Sequence, residues 1–481
     1  MTAVAFVIYL LFVLGVGVYS VRLTKDLKDF ALGGHRLGPW VIAFSERASG
    51  ESAWLILGLP GAALVAGLLE LWTVIGCVGG IMLSWLIIAS PLRRATEKFG
   101  ALTLPELFAR RFQDNSGTIR ILSAAIITFF FMFYVAAQFS GAGKVLNVTF
   151  GISELQGMVL GAVIIVFYTL LGGFFAVAWT DLIQGIIMIG TLVILPLVGW
   201  IKLASVPHEP VANWATLFGG KEGMGALIGA LGGLSWGLGY LGQPHLVVRY
   251  MAIDKMQHIA KSRWIAYCWA VPGFLGSLLI GLVGLQLIST GQLHFNGAVL
   301  TSINQLPDPE KLMPLMAQNL MPPLMAGIII SGAIAAMMST ADSQLLVSTT
   351  VLTEDFARRY YGAELTDRVS VFVGRLFTVI IGLFAFTIAL VNKDLVFELV
   401  SYAWSGLGAS FGPALILTLW WKKTTRKGVI AGMITGALST IIWANVTAWQ
   451  ALMTERLVSF ILAFLAVVLV SWFDRKGRTH A

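Results

Sequence analysis

The segment "ASGESAWLILGLPG", Ala48 to Gly61, interrupts an apolar stretch with glycines, a proline and a carboxylate. Glycine and proline weaken a helix interior, because glycine adds backbone freedom and proline lacks an N–H donor. Within a bilayer, irregular backbone is tolerated only where it is buried in protein or lines a cavity. We therefore expect a broken helix that opens its main chain near the middle of the membrane.

A second apolar stretch, "GGLSWGLGYLGQPH" from Gly232 to His245, is interrupted in the same way. A single kink of this kind is common in membrane helices. Two kinks next to tryptophans, each in the first helix of a group of five, instead indicate the discontinuous helices of an inverted-repeat transporter.

The composition requires a membrane protein, since 57% of the 481 residues are hydrophobic and only 12% are charged. Apolar runs of roughly 20 residues, enough to cross the hydrocarbon core, recur along the whole chain. We predict an all-α integral membrane protein with about thirteen transmembrane helices in one domain, residues 1–481. Its expected parts are an extra helix and loop (1–37), two five-helix repeats (38–203 and 223–420), and two final helices with a short tail (421–481).

The positive charges fall mostly in alternate loops, where lysine and arginine mark the cytoplasmic side. Most of the 32 lysines and arginines lie in every second loop, starting with the first. Arg249 is counted with the loop that follows the second interrupted stretch. This bias predicts an outer N-terminus and a cytoplasmic C-terminus in the plasma (inner) membrane. It also explains the net charge of +8 without nucleic acid.

A third segment, Ser331 to Phe356, carries many hydroxyls on an apolar helix, with Ser339 and Ser343 on one face. Hydroxyls together with carbonyls freed at a helix break suit a sodium ion, although any single serine can also bond its own helix. Asp342 is costly in mid-span and should face a cavity or a cation. For Asp181, a helix N-cap role and ion handling are both open. Metalloprotease and Walker A motifs do not occur, so no enzyme activity or catalytic residue is expected.

Six segments together resemble the sodium/solute symporter family, and within it the sodium/proline symporters. They are "LGGHRLGPW" (32–40), "SAWLILGLPGA" (52–62), "ALTLPELFARRF" (101–112), "AVAWTDLIQ" (176–184), "WGLGYLGQPHLVVRYMA" (236–252) and "MSTADSQLLVSTTVLTEDF" (338–356). The resemblance implies a LeuT-type fold that imports proline or a similar small amino acid with Na+ by alternating access.

The resemblance also implies the site residues. The sodium ligands are the backbone carbonyls of Ala48, Glu51 and Ala336 and the hydroxyls of Ser339 and Thr340. A second cation site of some members maps to Asp181, Asp342 and Ser343. The proline pocket maps to Ser52, Ala53, Trp54, Tyr134, Trp236, Tyr240 and Pro244, to which we add Gln138, one turn after Tyr134.

The chain departs from the proline symporters around the first break. It has Gly50 where they carry an aspartate, and it adds charges at Glu46, Arg47 and Glu51. One hypothesis is that Glu51 supplies the missing negative charge. The other, which we favour, is that Arg47 and Glu51 form an i, i+4 pair that tunes coupling or gating.

Two alternatives to proline symport are open at this stage. The chain could be a symporter for another organic solute with proton coupling, or a solute-binding sensory module that signals to a partner. In every case the expected surroundings are a lipid bilayer, with a monomer as the functional unit and no nucleic acid.

Overall fold

The computed structural model describes residues 1–21, 37–171, 173–207, 216–357 and 367–474. The basic residues predicted to face the cytoplasm within 22–36, 358–366 and 475–481, including the tail, lie outside this part. The first half contains α1 (Thr2–Val21), α2 (Pro39–Gly50), α3 (Leu59–Ala66), α4 (Leu71–Ile87), α5 (Ala89–Phe99), α6 (Leu104–Arg111), α7 (Thr118–Phe150), α8 (Glu154–Leu171) and α9 (Phe174–Ala204).

The second half continues with α10 (Gly223–Leu234), α11 (Trp236–Gly239), α12 (Pro244–Ala252), α13 (His258–Ser289), α14 (Leu312–Leu320), α15 (Pro323–Val351), α16 (Asp367–Val391), α17 (Val396–Trp420), α18 (Arg426–Ala444), α19 (Thr447–Gln450) and α20 (Glu455–Phe473). A short hairpin, β1 (Leu293–Phe295) paired antiparallel with β2 (Ala298–Leu300), lies between α13 and α14. The predicted all-α class therefore holds for nearly the whole described chain.

Eight helices in the described ranges are long and apolar enough to span a membrane, or nine if a bent pair counts as one span. Shorter apolar helices, Thr2–Val16 and Glu154–Leu170, accompany them. Each of the thirteen predicted spans contains helix, but the number that cross the bilayer and the limits of the repeats stay predictions.

The first predicted break is present. Helix α2 ends at Gly50, the backbone is irregular around Glu51 and Ser52, and a π-helical turn, Trp54–Gly58, leads into α3. π-Helical turns are often found at functional sites. The regular helix is thus interrupted at residues 51 and 52 in the buried interior.

The second predicted break is present as well. The helical stretch Gly223–Gly239 is bent by 42° relative to Pro244–Ala252, with residues 240–243 between them. Pro244 opens α12 at a position where its missing N–H is not needed.

Glycine contacts hold the second break against α4. A Cβ placed on Gly237 would lie 2.2 Å from the carbonyl oxygen of Gly76, and one placed on Gly80 would lie 2.2 Å from that of Gly237. Only residues without a side chain allow two backbones to approach so closely. The second break is therefore positioned by direct backbone packing.

Helix α9 packs against α15, α13 and α2, which brings Asp181 to the first break. One of the two interpretations of Asp181 made it the N-cap of its helix. That interpretation is wrong, because α9 begins at Phe174 and Asp181 lies inside it, fully buried. Residues 174–180, which are mostly apolar, extend the helix on the N-terminal side of Asp181.

Candidate functional site

Two hydroxyls of α15 face the main chain of the first break. Ser339 Oγ donates to the carbonyl oxygen of Ala48 at 2.9 Å and lies 3.2 Å from that of Ala336. Thr340 Oγ1 donates to the carbonyl oxygen of Ser49 at 3.0 Å. Both side chains are fully buried. The structure thus brings four of the five predicted sodium ligands together, and it adds the carbonyl of Ser49.

The fifth predicted ligand, the carbonyl of Glu51, lies at the C-cap of α2, where the Glu51 N–H donates to the Arg47 carbonyl at 3.0 Å. The group as a whole consists of neutral oxygens from hydroxyls and carbonyls. Such hard oxygen donors suit a small alkali cation better than thiolate or imidazole groups do. The arrangement can therefore bind sodium where α2 ends.

The residues after the break form a polar contact with α7. Gln138 Oε1 accepts from the Ala53 N–H at 3.0 Å, and Gln138 Nε2 donates to the Tyr134 carbonyl at 3.1 Å. Ser52 Oγ lies 3.4 Å from the Tyr134 hydroxyl and 3.3 Å from the Trp54 N–H. The predicted pocket residues of α7 and of the first break therefore lie together.

An aromatic group connects the two breaks. The rings of Trp54 and Trp236 are stacked, with centroids 4.7 Å apart and an interplanar angle of 12°. Around them lie Phe274, Phe397 and Trp404, which the sequence did not single out; Trp404 donates from Nε1 to the Trp236 carbonyl at 2.9 Å. Such a group offers apolar contact and cation–π attraction to a small organic cation.

Pro244 differs from the other predicted pocket residues. It lines a small cavity with Leu102, Phe174, Val248 and Leu346, on the side of the second break where α12 begins. Its position there is fixed by its role at the start of α12.

The charges at the end of α2 form one buried network. Arg47 Nη1 lies 2.6 Å from Glu51 Oε1, which is the expected i, i+4 pair, and Arg47 also makes a two-pronged contact with Glu46. The Tyr240 hydroxyl lies 3.1 Å from both oxygens of Glu51. Glu46 accepts from Trp85 Nε1 at 3.2 Å and is 3.4 Å from the Tyr250 hydroxyl. Every carboxylate in the network therefore has partners, as a buried charge requires.

The predicted second cation site contains a positive side chain of the protein. Ser343 Oγ is 3.3 Å from Asp342 Oδ1, but both Ser343 and Asp181 contact Arg249. Counting Arg249 with a cytoplasmic loop was wrong, because its guanidinium is fully buried in α12. A signal was present in the sequence, since Arg249 lies only about one and a half helical turns after Pro244 and precedes the first acidic residue of the loop, Asp254.

Comparisons with known proteins identify the family of the chain. The profile of the sodium:solute symporter family matches residues 30–436. The chain is 36% identical to the osmoregulated proline transporter OpuE of Bacillus subtilis, over 98% of this chain and 94% of the relative. It is 37% identical to the high-affinity proline transporter PutP of Bacillus subtilis (95% and 94% covered) and 37% identical to sodium/proline symporter 2 of Staphylococcus saprophyticus (99% and 92% covered).

Among solved structures, a Na+-coupled sialic acid symporter in a substrate-bound outward-open state has a similar fold, with a TM-score of 0.75 at 19% identity over 98% of this chain and 97% of that one. The nucleobase-cation-symport-1 family transporter Mhp1 matches with a TM-score of 0.57 at 12% identity over 94% and 96%. These likenesses confirm the expected LeuT-type fold. The family consists of transporters, so the chain is a multi-pass membrane transporter of a small molecule and not an enzyme, and sodium is its coupling ion. The chain belongs to the sodium:solute symporter family.

Proposed function

We propose that the chain imports proline, or a small amino acid similar to it, together with sodium by alternating access. The names of the relatives support this substrate, because three that are 36–37% identical over nearly the full length are proline transporters. The observation that carries the mechanism is the contact of Ser339 with the Ala48 carbonyl at 2.9 Å, across the break in the first core helix.

In this proposal the sodium ion binds to the carbonyls of Ala48, Glu51 and Ala336 and to the hydroxyls of Ser339 and Thr340. The bound ion would replace the direct hydroxyl–carbonyl bonds with ion–oxygen contacts that still join α2 to α15. Because α2 and α15 belong to different parts of the fold, filling the site favours the conformation in which they are adjacent. Sodium binding would then shape the neighbouring solute pocket.

The solute pocket lies directly beyond the break, so the two sites share one segment of backbone. We assign Ser52, Ala53, Trp54, Tyr134, Gln138, Trp236 and Tyr240 to its lining, and we assign to Pro244 the start of α12 at the second break. The indole faces would contact the pyrrolidine ring and attract the ammonium group. Backbone N–H groups at the start of the helical segment after the break would receive the carboxylate.

Glu46, Arg47 and Glu51 carry a net charge of about −1 when all are ionised. Their contacts reach α4 through Trp85 and α12 through Tyr250. We assign them a gating and charge-tuning role, because they connect the cytoplasmic side of the first break to two other helices. They also adjoin the pocket through the contact between Glu51 and Tyr240.

We further propose that the N-terminus faces outside and the C-terminus the cytoplasm of the plasma membrane, with a monomer as the functional unit. Support comes from the charge bias of the loops. A membrane-impermeant thiol reagent applied to intact cells should label a cysteine at Gln450 and not one at Ser116. The reverse pattern would refute this orientation.

The test of the proposed function is uptake into proteoliposomes. An inward sodium gradient should accumulate radiolabelled proline, and unlabelled proline should compete better than sugars or dicarboxylates. Accumulation driven equally by a pH gradient in sodium-free buffer would refute sodium coupling. Strong competition by an unrelated solute, with no competition by proline, would refute the assignment of proline as the substrate.

A further inference from the structure

Arg456 lies in the first turn of α20, a helix that follows both predicted five-helix repeats. Its Cζ atom is 4.6 Å from the centroid of the Trp236 ring, which is also stacked on the Trp54 ring at 4.7 Å. A guanidinium over an indole is attracted by the negative face of the ring. A helix outside the predicted repeats thus places a positive charge on the aromatic group that connects the two breaks.

The same guanidinium joins the second break to α17. Nε lies 3.3 Å from Ser235 Oγ and Nη2 lies 3.4 Å from the Gly232 carbonyl oxygen, both shortly before Trp236 in the chain. Nη1 donates to Ser401 Oγ, in α17. The donors of a guanidinium are fixed in one plane, so partners on several sides hold the group in one orientation. Arg456 therefore connects the end of α10 to α17.

A carboxylate next to Arg456 keeps the charge in this place. Glu455 Oε1 is 3.6 Å from Arg456 Nη1, and the two side chains are only 10% and 13% exposed. The same oxygen accepts from Ser405 Oγ at 2.9 Å and from Ser401 Oγ at 3.2 Å. Charges that are largely removed from water are retained where they are paired and hydrogen-bonded. The pair is thus anchored to α17 from both of its members.

A cavity of about 870 Å³ lies beside Arg456, between α10, α17 and α20. One of its walls is Phe397, whose ring is 4.9 Å from that of Trp236 and 6.4 Å from that of Trp54. Other lining residues are exposed and precede α17 and α20, in loops that face outside in the orientation proposed above. The cavity therefore extends from the surface to the aromatic group, whereas Ser52 at the first break is fully buried.

We propose that Arg456 is a positioning residue that closes the solute pocket toward this cavity by holding Trp236 against Trp54. A solute arriving through the cavity can enter only after the guanidinium leaves the Trp236 ring and its partners in α10 and α17. Arg456 itself lines the cavity, so water there can hydrate its charge when the contact opens. For the identity of the solute, the inference rests on the proposed function.

Labelling of a pocket cysteine from one side of the membrane tests the closure without needing the solute. Ser52→Cys is introduced into the full chain after Cys77 and Cys268, its two cysteines, are changed to alanine. A membrane-impermeant thiol reagent should label this cysteine slowly. Adding Arg456→Met, which keeps a long apolar side chain, should raise the labelling rate by about 10-fold or more, because the cation–π contact and the charge-assisted hydrogen bonds are lost.

Two controls accompany this measurement. Gln450→Cys lies at the exposed rim of the same cavity, so it identifies the side on which the reagent must be applied, and its labelling rate should not depend on Arg456→Met. Arg120→Met is the matched substitution, since Arg120 is 23% exposed and lies 3.5 Å from Glu106. It should leave the labelling rate of Ser52→Cys unchanged.

An unchanged labelling rate of Ser52→Cys in a monodisperse Arg456→Met protein would overturn the inference. If that protein does not fold, Ser235→Ala/Ser401→Ala, which removes two partners of the guanidinium, takes its place and should raise the rate by about 3-fold or more. An unchanged rate there would overturn the inference, and so would Ser52→Cys labelling as fast as Gln450→Cys while Arg456 is present. Failure of proline to bind a protein with the expected labelling pattern would refute the proposed solute and leave the closure by Arg456 standing.

Discussion

The hydroxyl of Ser339 lies 2.9 Å from the carbonyl oxygen of Ala48, although the two residues are 291 positions apart in the chain. The contact joins a helix that is continuous, α15, to one that ends in the buried interior, α2. The main chain freed by the break and the hydroxyls that face it thus form one oxygen-rich site.

Removing the two hydroxyls should weaken sodium binding. In Ser339→Ala/Thr340→Ala two ligands are lost while helix α15 is retained, so the sodium concentration for half-maximal uptake should rise by about 10- to 100-fold, or about 1.4–2.8 kcal/mol. Thr349→Ala is the matched control, because Thr349 donates to the Leu346 carbonyl of its own helix. An unchanged sodium dependence in the double variant would refute the assigned ligands.

Removing the stacked indoles should weaken solute binding more than sodium binding. Trp236→Ala is expected to raise the Kd for proline by about 10-fold or more, since a buried aromatic contact is worth about 1 kcal/mol beyond its area. The Kd of Trp236→Phe for proline should lie between the Kd of the unaltered protein and that of Trp236→Ala. Trp200→Ala, at a tryptophan that is 60% exposed, should leave the Kd unchanged. Equal affinities in Trp236→Ala and Trp200→Ala would exclude Trp236 from the pocket.

The buried charges should show strong coupling in a double-mutant cycle. Arg47→Met leaves two carboxylates without their cation and should cost about 3–5 kcal/mol of stability. Arg47→Met/Glu51→Gln restores the net charge of the unaltered network and should recover part of that loss. Thermal unfolding of the detergent-solubilised protein measures both effects. Strictly additive losses would show that Arg47 and Glu51 are not energetically coupled.

The glycine contact at the second break gives a matched pair of substitutions. A Cβ on Gly237 would lie 2.2 Å from the Gly76 carbonyl, whereas one on Gly79, also in α4, would have nothing within 4 Å. Gly237→Ala should therefore displace α11 and abolish most uptake, while Gly79→Ala should be nearly silent. Comparable uptake by the two variants at equal expression would show that this backbone contact does not position the pocket.

The features that could be predicted from the sequence depend on residues that are close together in the chain. Glycine and proline marked both breaks, and the spacing of Ser339 and Ser343 marked the helix face that meets the first break. The i, i+4 spacing of Arg47 and Glu51 likewise predicted their pair, which the structure confirms at 2.6 Å.

The features that could not be predicted arise from contacts between distant segments. Arg249 resembled the loop charges that follow it, because only the packing of α12 against α2 buries it beside Asp181. Trp404 lies in a helix without a comparable break and joins the pocket only because Gly239 leaves room for its indole; a Cβ there would lie 1.8 Å from Nε1. The N-cap interpretation of Asp181 was wrong because Thr180 and Asp181 resemble a helix cap, whereas α9 already begins at Phe174.

The most direct measurement of the central claim is proline binding to the purified protein with and without sodium. If the ion and the solute share the backbone of the first break, saturating sodium should lower the Kd for proline by at least about 10-fold, and saturating proline should lower the Kd for sodium by the same factor. Potassium in place of sodium is the control and should leave the proline Kd high. A proline Kd that is the same in both salts would contradict the account.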